Sequence, residues 1–172
     1  MVLSDVVVSI EVDYENFKSF VPEGSEVIRC KGKPLNIDTP INIVVDEEDT
    51  GMPLADISML NIGSFVITQD LYEHLKEAAE DTCQFIPLQW SGIRMWLVNV
   101  LSVADCLDKE HSEFNSFGGV SSVVFDSSKV PTVGFFKIAE DNHTGIFVSQ
   151  NMLDVINNYK PTGVEFEKFL AK

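Results

Sequence analysis

The sequence predicts an α+β protein, a largely antiparallel β framework with two similar strand-helix-strand units packed on it. Three observations predict it. The first is an internal repeat: sliding residues 66–76, "VITQDLYEHLK", by 81 positions lays Val66, Ile67, Thr68, Gln69, Asp70 and Leu71 over Phe147, Val148, Ser149, Gln150, Asn151 and Met152, and Phe85 over Phe166. The second is the change of apolar period inside each copy, from a short apolar run to the spacing of a helix face. The third is the supply of short segments rich in Val, Ile and Phe on either side of the two copies, which read as strands.

Taken in order, residues 2–10 alternate loosely and are rich in Val and Ile, so they read as a strand. Residues 21–24, "VPEG", mark a turn. "VIRC" at 27–30 and "INIVV" at 41–45 are β-like pieces broken by Pro34 and Pro40, and "DEEDTGMP" is a loop by composition. Ser64–Ile67 reads as a short strand. Thr68 is placed as the N-cap of the following helix, because its hydroxyl can accept from a free amide of the first turn, and Asp70 complements the positive end of the dipole. Leu71, Tyr72, Leu75, Ala78 and Ala79 make one helix face, with Glu73, Glu77 and Glu80 opposite, and the helix is expected to stop near Asp81–Thr82. "QFIPLQW" and "IRMWLVNVL" read as a hairpin around Ser91-Gly92, and "SVADCLD" at 102–108 as a short turn of helix.

A polar loop over 108–119 ends in Gly118-Gly119, after which "VSSVVF" and "TVGFFKI" read as strands joined through the loop "AEDNHTG" to the second copy of the repeat. There Ser149 is the cap, and Met152, Leu153, Ile156 and Tyr159, widened by Val155, form the apolar stripe. Pro161 and Gly163 end that helix. "VEFEKFL" then alternates as a last strand. Thr68 and Ser149 are therefore structural helix caps. The whole is expected to be a single domain, 1–172, with an N-terminal part, 1–52, and a repeat-bearing part, 53–172.

The composition narrows function. With 27 Asp and Glu against 12 Lys and Arg, the formal net charge is −15. Such a chain is repelled by nucleic acid and anionic lipid and attracts a basic partner. No apolar run is long enough to span a bilayer, and "MVLSDVVVSIEVDYENF" has acids and no basic n-region, so it reads as a first strand and the expected location is the cytoplasm. Cys30, Cys83 and Cys106 are odd in number with no close spacing, as in a reduced compartment, and read as small buried hydrophobes.

Catalytic signatures are lacking. His74, His111 and His143 have no second histidine or cysteine at zinc-ligand spacing. There is no Gly-x-Ser-x-Gly elbow, and "SFGGVSS" lacks the lysine of a phosphate-binding loop. Trp90, Trp96, Phe135 and Phe136 have no Lys or Arg cluster beside them and read as core. No catalytic residue, metal ligand or cofactor is expected. The candidate for contact with a partner is the acidic loop Asp46, Glu47, Glu48 and Asp49, whose mutual repulsion a basic protein surface would relieve. A carboxylate- or metal-dependent hydrolase and a nucleic-acid-mimicking inhibitor are the alternative readings.

Several stretches carry a family resemblance: "GSFVITQDLYEHLKEA", "FIPLQW", "MWLVNVLSVADCLD", "VVFDSSKV" and "GFFKIAEDNHTGIFVSQNMLDVINNYKPTGVEFEKF". Together they resemble the bacterial immunity protein 11 family, which is associated with polymorphic toxin and contact-dependent competition systems. The matching pieces fall at Val66–Thr68, Val98–Asp108, Phe136–Lys137, Val148–Gln150 and Gly163–Phe166. They cover about residues 53–170, and the N-terminal third carries little of the match. Gln150 stands where the family commonly has an acid and Lys137 where it has arginine, changes expected to affect the fold hardly at all. The resemblance implies a cytoplasmic antitoxin that binds a cognate toxin domain and blocks its active site or substrate access. It carries over no enzymatic residue. The negative charge fits a basic toxin.

Overall fold

The computed structural model describes residues 6–24 and 27–172. In chain order its strands are β1 (Val6–Val12), β2 (Phe20–Pro22), β3 (Ile41–Val45), β4 (Ile57–Met59) and β5 (Phe65–Thr68). Helix α1 (Gln69–Ala79) follows, then β6 (Cys83–Trp90), β7 (Ile93–Val100), β8 (Glu113–Phe114), β9 (Val120–Ser122), β10 (Val124–Phe125), β11 (Phe135–Phe136) and β12 (Phe147–Val148). Helix α2 (Gln150–Tyr159) and β13 (Val164–Ala171) complete the chain. The α+β class and the two strand-helix-strand units are as the sequence predicts.

One sheet has six strands in the order β2-β3-β6-β7-β5-β4, another has five in the order β10-β13-β1-β12-β11, and β8 and β9 form a separate ribbon. The two large sheets repeat one plan. In the six-stranded sheet β5 lies between β4 and β7, with β6 beyond; in the five-stranded sheet β12 lies between β11 and β1, with β13 beyond. Beyond β6 comes β3 and beyond β13 comes β10, both parallel. The repeat therefore extends past the segment visible in sequence. β7 follows β6 directly in the chain, whereas the corresponding place beside β13 is filled by β1, which pairs with β13 from Val6↔Leu170 to Val12↔Val164.

The helices form where the sequence puts them, for the reasons it offers. Thr68 Oγ1 accepts from Leu71 N at 3.4 Å and Ser149 Oγ accepts from Met152 N at 3.2 Å, each cap being in extended conformation. Leu71, Leu75, Ala79, Met152 and Ile156 are buried in a central cluster with Phe65, Ile67 and Val98 of one sheet and Ile10, Phe135 and Val148 of the other. Burying each such large side chain contributes about 1.5–3 kcal/mol. The helices also touch at equivalent positions: His74 Nε2 lies 2.9 Å from Val155 O, one repeat length of 81 residues away. The outer faces of the sheets carry separate clusters, Val66, Ile86, Leu88, Met95 and Leu97 on the first and Val7, Phe125, Phe136 and Phe147 on the second. The hairpin at Ser91-Gly92 turns with φ of 46° and 81°, which matches the twist of its strands.

Four segments differ from expectation, besides the short strand β8 inside the stretch 108–119 that reads as a polar loop. "VIRC" forms no strand: Ile28 and Cys30 are buried, but their carbonyls are met by side chains, Asn61 Nδ2 at 2.5 Å and Lys137 Nζ at 3.0 Å, which take the place of a ladder. "SVADCLD" forms no helix, because its backbone bonds go to distant partners. Ala104 N donates to Lys137 O at 2.8 Å, and Asp126 N donates to Cys106 O at 2.8 Å. "VSSVVF" divides, its first part pairing with β8 and its second with β13. The turn placed at residues 21–24 begins later, since Val21 and Pro22 extend an edge strand against Val44 and Ile43.

Candidate partner-binding surface

The acidic loop is less uniform than its composition. Glu47–Asp49 form a single 3-10 turn capped by Asp46, whose Oδ1 accepts from Glu48 N at 3.2 Å. Asp49 Oδ2 accepts from Ser19 N at 3.1 Å and so ties the turn to the chain before β2. Two of the four carboxylates thus hold the loop itself, and Glu47 and Glu48 are the exposed pair.

A second acidic surface was not singled out from the sequence. It lies on the outer face of the five-stranded sheet. β1 and β13 place Ser9 opposite Glu167 and Glu11 opposite Glu165, and alternation puts all four side chains on one face. A hollow of about 770 Å³ opens there, bounded by Glu11 and Glu167, the turn Asn61–Phe65, Val120–Val123 and the loop carrying Asp141. Glu11 and Glu165 also line an adjoining hollow of about 300 Å³ with Asp13 and Glu15. Lys168 is the one basic residue in the larger lining among the described residues. Among the described residues none of Glu11, Glu165, Glu167 and Asp141 forms an ion pair there. Ser9 Oγ donates to Glu11 Oε1 at 2.9 Å. Burial pushes the Asp141 carboxyl above its ordinary value, against the pull of N–H bonds from Gly145 at 2.8 Å and Thr144 at 3.2 Å. The signal for this surface is present in "VEFEKFL" as acids at alternate positions. Its meaning depends on β1, which supplies Glu11 from 154 residues away (165 − 11).

Lys137 changes role. Its side chain is fully buried, and Nζ donates to Cys30 O at 3.0 Å, Gly63 O at 2.5 Å and His143 O at 2.7 Å. Three separate segments meet on one ammonium, so this position governs how the loops beside the hollow are held. Burial pushes the Lys137 pKa below the ordinary lysine value. Gly63 is required here: with φ of 87°, an added Cβ would sit 3.1 Å from both Lys137 Nζ and His143 O. On the first sheet, Gln84 and Asn99 make the matching attachment. Leu35 N donates to Gln84 Oε1 at 2.9 Å, Gln84 Nε2 donates to Leu35 O at 2.7 Å, and Asn99 Nδ2 donates to Lys33 O at 2.9 Å.

The thiols are enclosed. Burial pushes Cys83 up to about 12 and Cys106 up to about 11, far from the range of a reactive nucleophile. Among the described residues no group of three or more His, Cys, Asp or Glu side chains is arranged to hold a metal ion, and no helix is long and apolar enough to cross a membrane.

Comparison with known proteins finds one family. The model of the immunity protein family Imm11 matches residues 4–171. The match takes in the N-terminal third, where the sequence resemblance carries little and which supplies β1 to the five-stranded sheet. No curated protein matches the chain.

Proposed function

The chain belongs to the immunity protein family Imm11, and from that premise we propose that it is the cytoplasmic antitoxin of a polymorphic toxin system. It binds a cognate toxin domain and blocks the active site or the approach of substrate, without catalysis of its own. The family match over nearly the whole chain carries this reading. The charge of −15 supports a basic partner and an acidic contact surface, because opposite fields accelerate encounter and discourage wrong partners.

The test is co-expression with the toxin domain encoded beside this chain's gene. Restored growth and a complex that co-purifies are the expected results; toxicity undiminished at equal expression, with no complex, refutes the proposal. The acidic loop is assigned a part in steering. The double variant Glu47→Lys/Glu48→Lys leaves Asp46 and Asp49 to hold the turn. It is expected to slow association by about tenfold at low salt and to flatten the salt dependence of the on-rate. An unchanged on-rate removes that loop from the interface.

A further inference from the structure

Resting on the toxin-binding reading above, we propose that the open edge of β13 and the acidic hollow beside it receive an extended, lysine- or arginine-bearing segment of the toxin. The internal repeat carries this inference. In the six-stranded sheet the cross-strand pair Gln84–Asn99 grips the backbone of the chain's own residues 33–35. The repeat offset of 81 carries Gln84 onto Glu165. Because β1 stands in the place of β7, the cross-strand partner of Glu165, which is Glu11, occupies the position of Asn99. Two amides that hold a covering segment in one half are two carboxylates in the other. Glu11 and Glu165 are both exposed, and no segment of the described chain is hydrogen-bonded across them.

The change of residue type says what the occupant must bring. An amide both donates and accepts, so a neutral backbone satisfies it. A carboxylate only accepts, so its occupant must supply donors: ammonium, guanidinium or backbone N–H. Glu11 and Glu165 stand directly opposite each other, an arrangement that repels in the free protein and that a cation relieves.

The edge says what shape the occupant has. β13 pairs with β1 along one side, but on the other it meets β10 only through Leu170 and Ala171. Val164–Phe169 therefore offer an outer edge without a strand partner among the described residues. An added strand of six residues covers roughly 20 Å of such an edge and satisfies its outward N–H and C=O groups. Its alternate side chains fall on the face of Glu165 and Glu167, beside the 770 Å³ hollow.

The probe is the purified toxin domain encoded beside this chain's gene, made inactive by mutation. Binding is measured to the unaltered chain, to Glu11→Lys/Glu165→Lys and to Glu11→Gln/Glu165→Gln, with hydrogen exchange followed in the unaltered complex. The expected results are a loss of affinity of roughly a hundredfold on charge reversal and roughly tenfold in the glutamine pair, with exchange slowed at outward amides of residues 164–169. The glutamine pair keeps side-chain shape, so a native near-ultraviolet spectrum separates lost contact from lost folding. Affinity within threefold of the unaltered chain in both variants overturns the inference, and so does unchanged exchange at residues 164–169. Failure of the unaltered chain to bind overturns the antitoxin reading itself, a result distinct from either.

Discussion

Replacing Lys137 with methionine tests whether one ammonium holds the loops together. Methionine keeps most of the length and removes the charge and all three donors. Cys30 O, Gly63 O and His143 O would each lose a charged partner. A buried acceptor left unpaired costs about 1–3 kcal/mol, and three sum to about 3–9 kcal/mol. Against this, the ammonium no longer has to be buried, a relief of several kcal/mol. His143 O is only partly buried and lies beside a hollow lined by Arg29 and Lys31, so water can reach it. The net expectation is a loss of about 1–3 kcal/mol, a sizeable share of the roughly 5–15 kcal/mol that holds a typical domain folded. In urea unfolding with a slope near 2 kcal/mol per molar, the midpoint would fall by about 1 M. A second measurement locates the effect: exchange at residues 28–31 and 61–64 should accelerate more than exchange in β6 and β7. A midpoint shift below about 0.5 M would refute the reasoning, by showing that the three carbonyls are satisfied without the lysine.

Three other substitutions test the helix caps and the buried carboxyl. Thr68→Ala and Ser149→Ala should each destabilise by about 1 kcal/mol, measured by urea unfolding, and the two losses should add because each cap serves its own helix. Asp141→Asn should change how stability varies with acid. The folded carboxyl titrates above its ordinary value, so between its unfolded and folded pKa the folded state binds more protons; the unaltered chain then gains stability from this group as pH falls through that window. The asparagine variant should lack that gain, and parallel stability-against-pH curves for the two proteins would contradict the assignment.

Much of the fold is legible because its causes are local. A capping hydroxyl needs only the amide three residues on, a helix face needs only spacing of three and four, and the turn at Ser91-Gly92 needs only two residues with positive φ. Such terms are written in consecutive residues, which is why the two strand-cap-helix units and the β6–β7 hairpin stand where the sequence puts them. At "VIRC" and "SVADCLD" the local pattern misleads, because backbone groups there are satisfied by side chains or strands far along the chain. The quartet at 46–49 is conspicuous as a run, yet Asp49 is occupied by Ser19 N, far back along the chain, and Asp46 by its own turn.

By itself the sequence determined the α+β class, the duplicated unit, the three buried thiols and an excess of negative charge. Tertiary structure alone decided that β1 completes the sheet of the second unit, that Lys137 gathers three loops, and that Glu11 faces Glu165 on an open edge. Each of those features includes a pair of residues more than a hundred positions apart, Cys30 and Lys137 among them. Their energies come from burial and from pairing groups that meet only once the chain has closed on itself, and neither spacing nor propensity encodes that meeting.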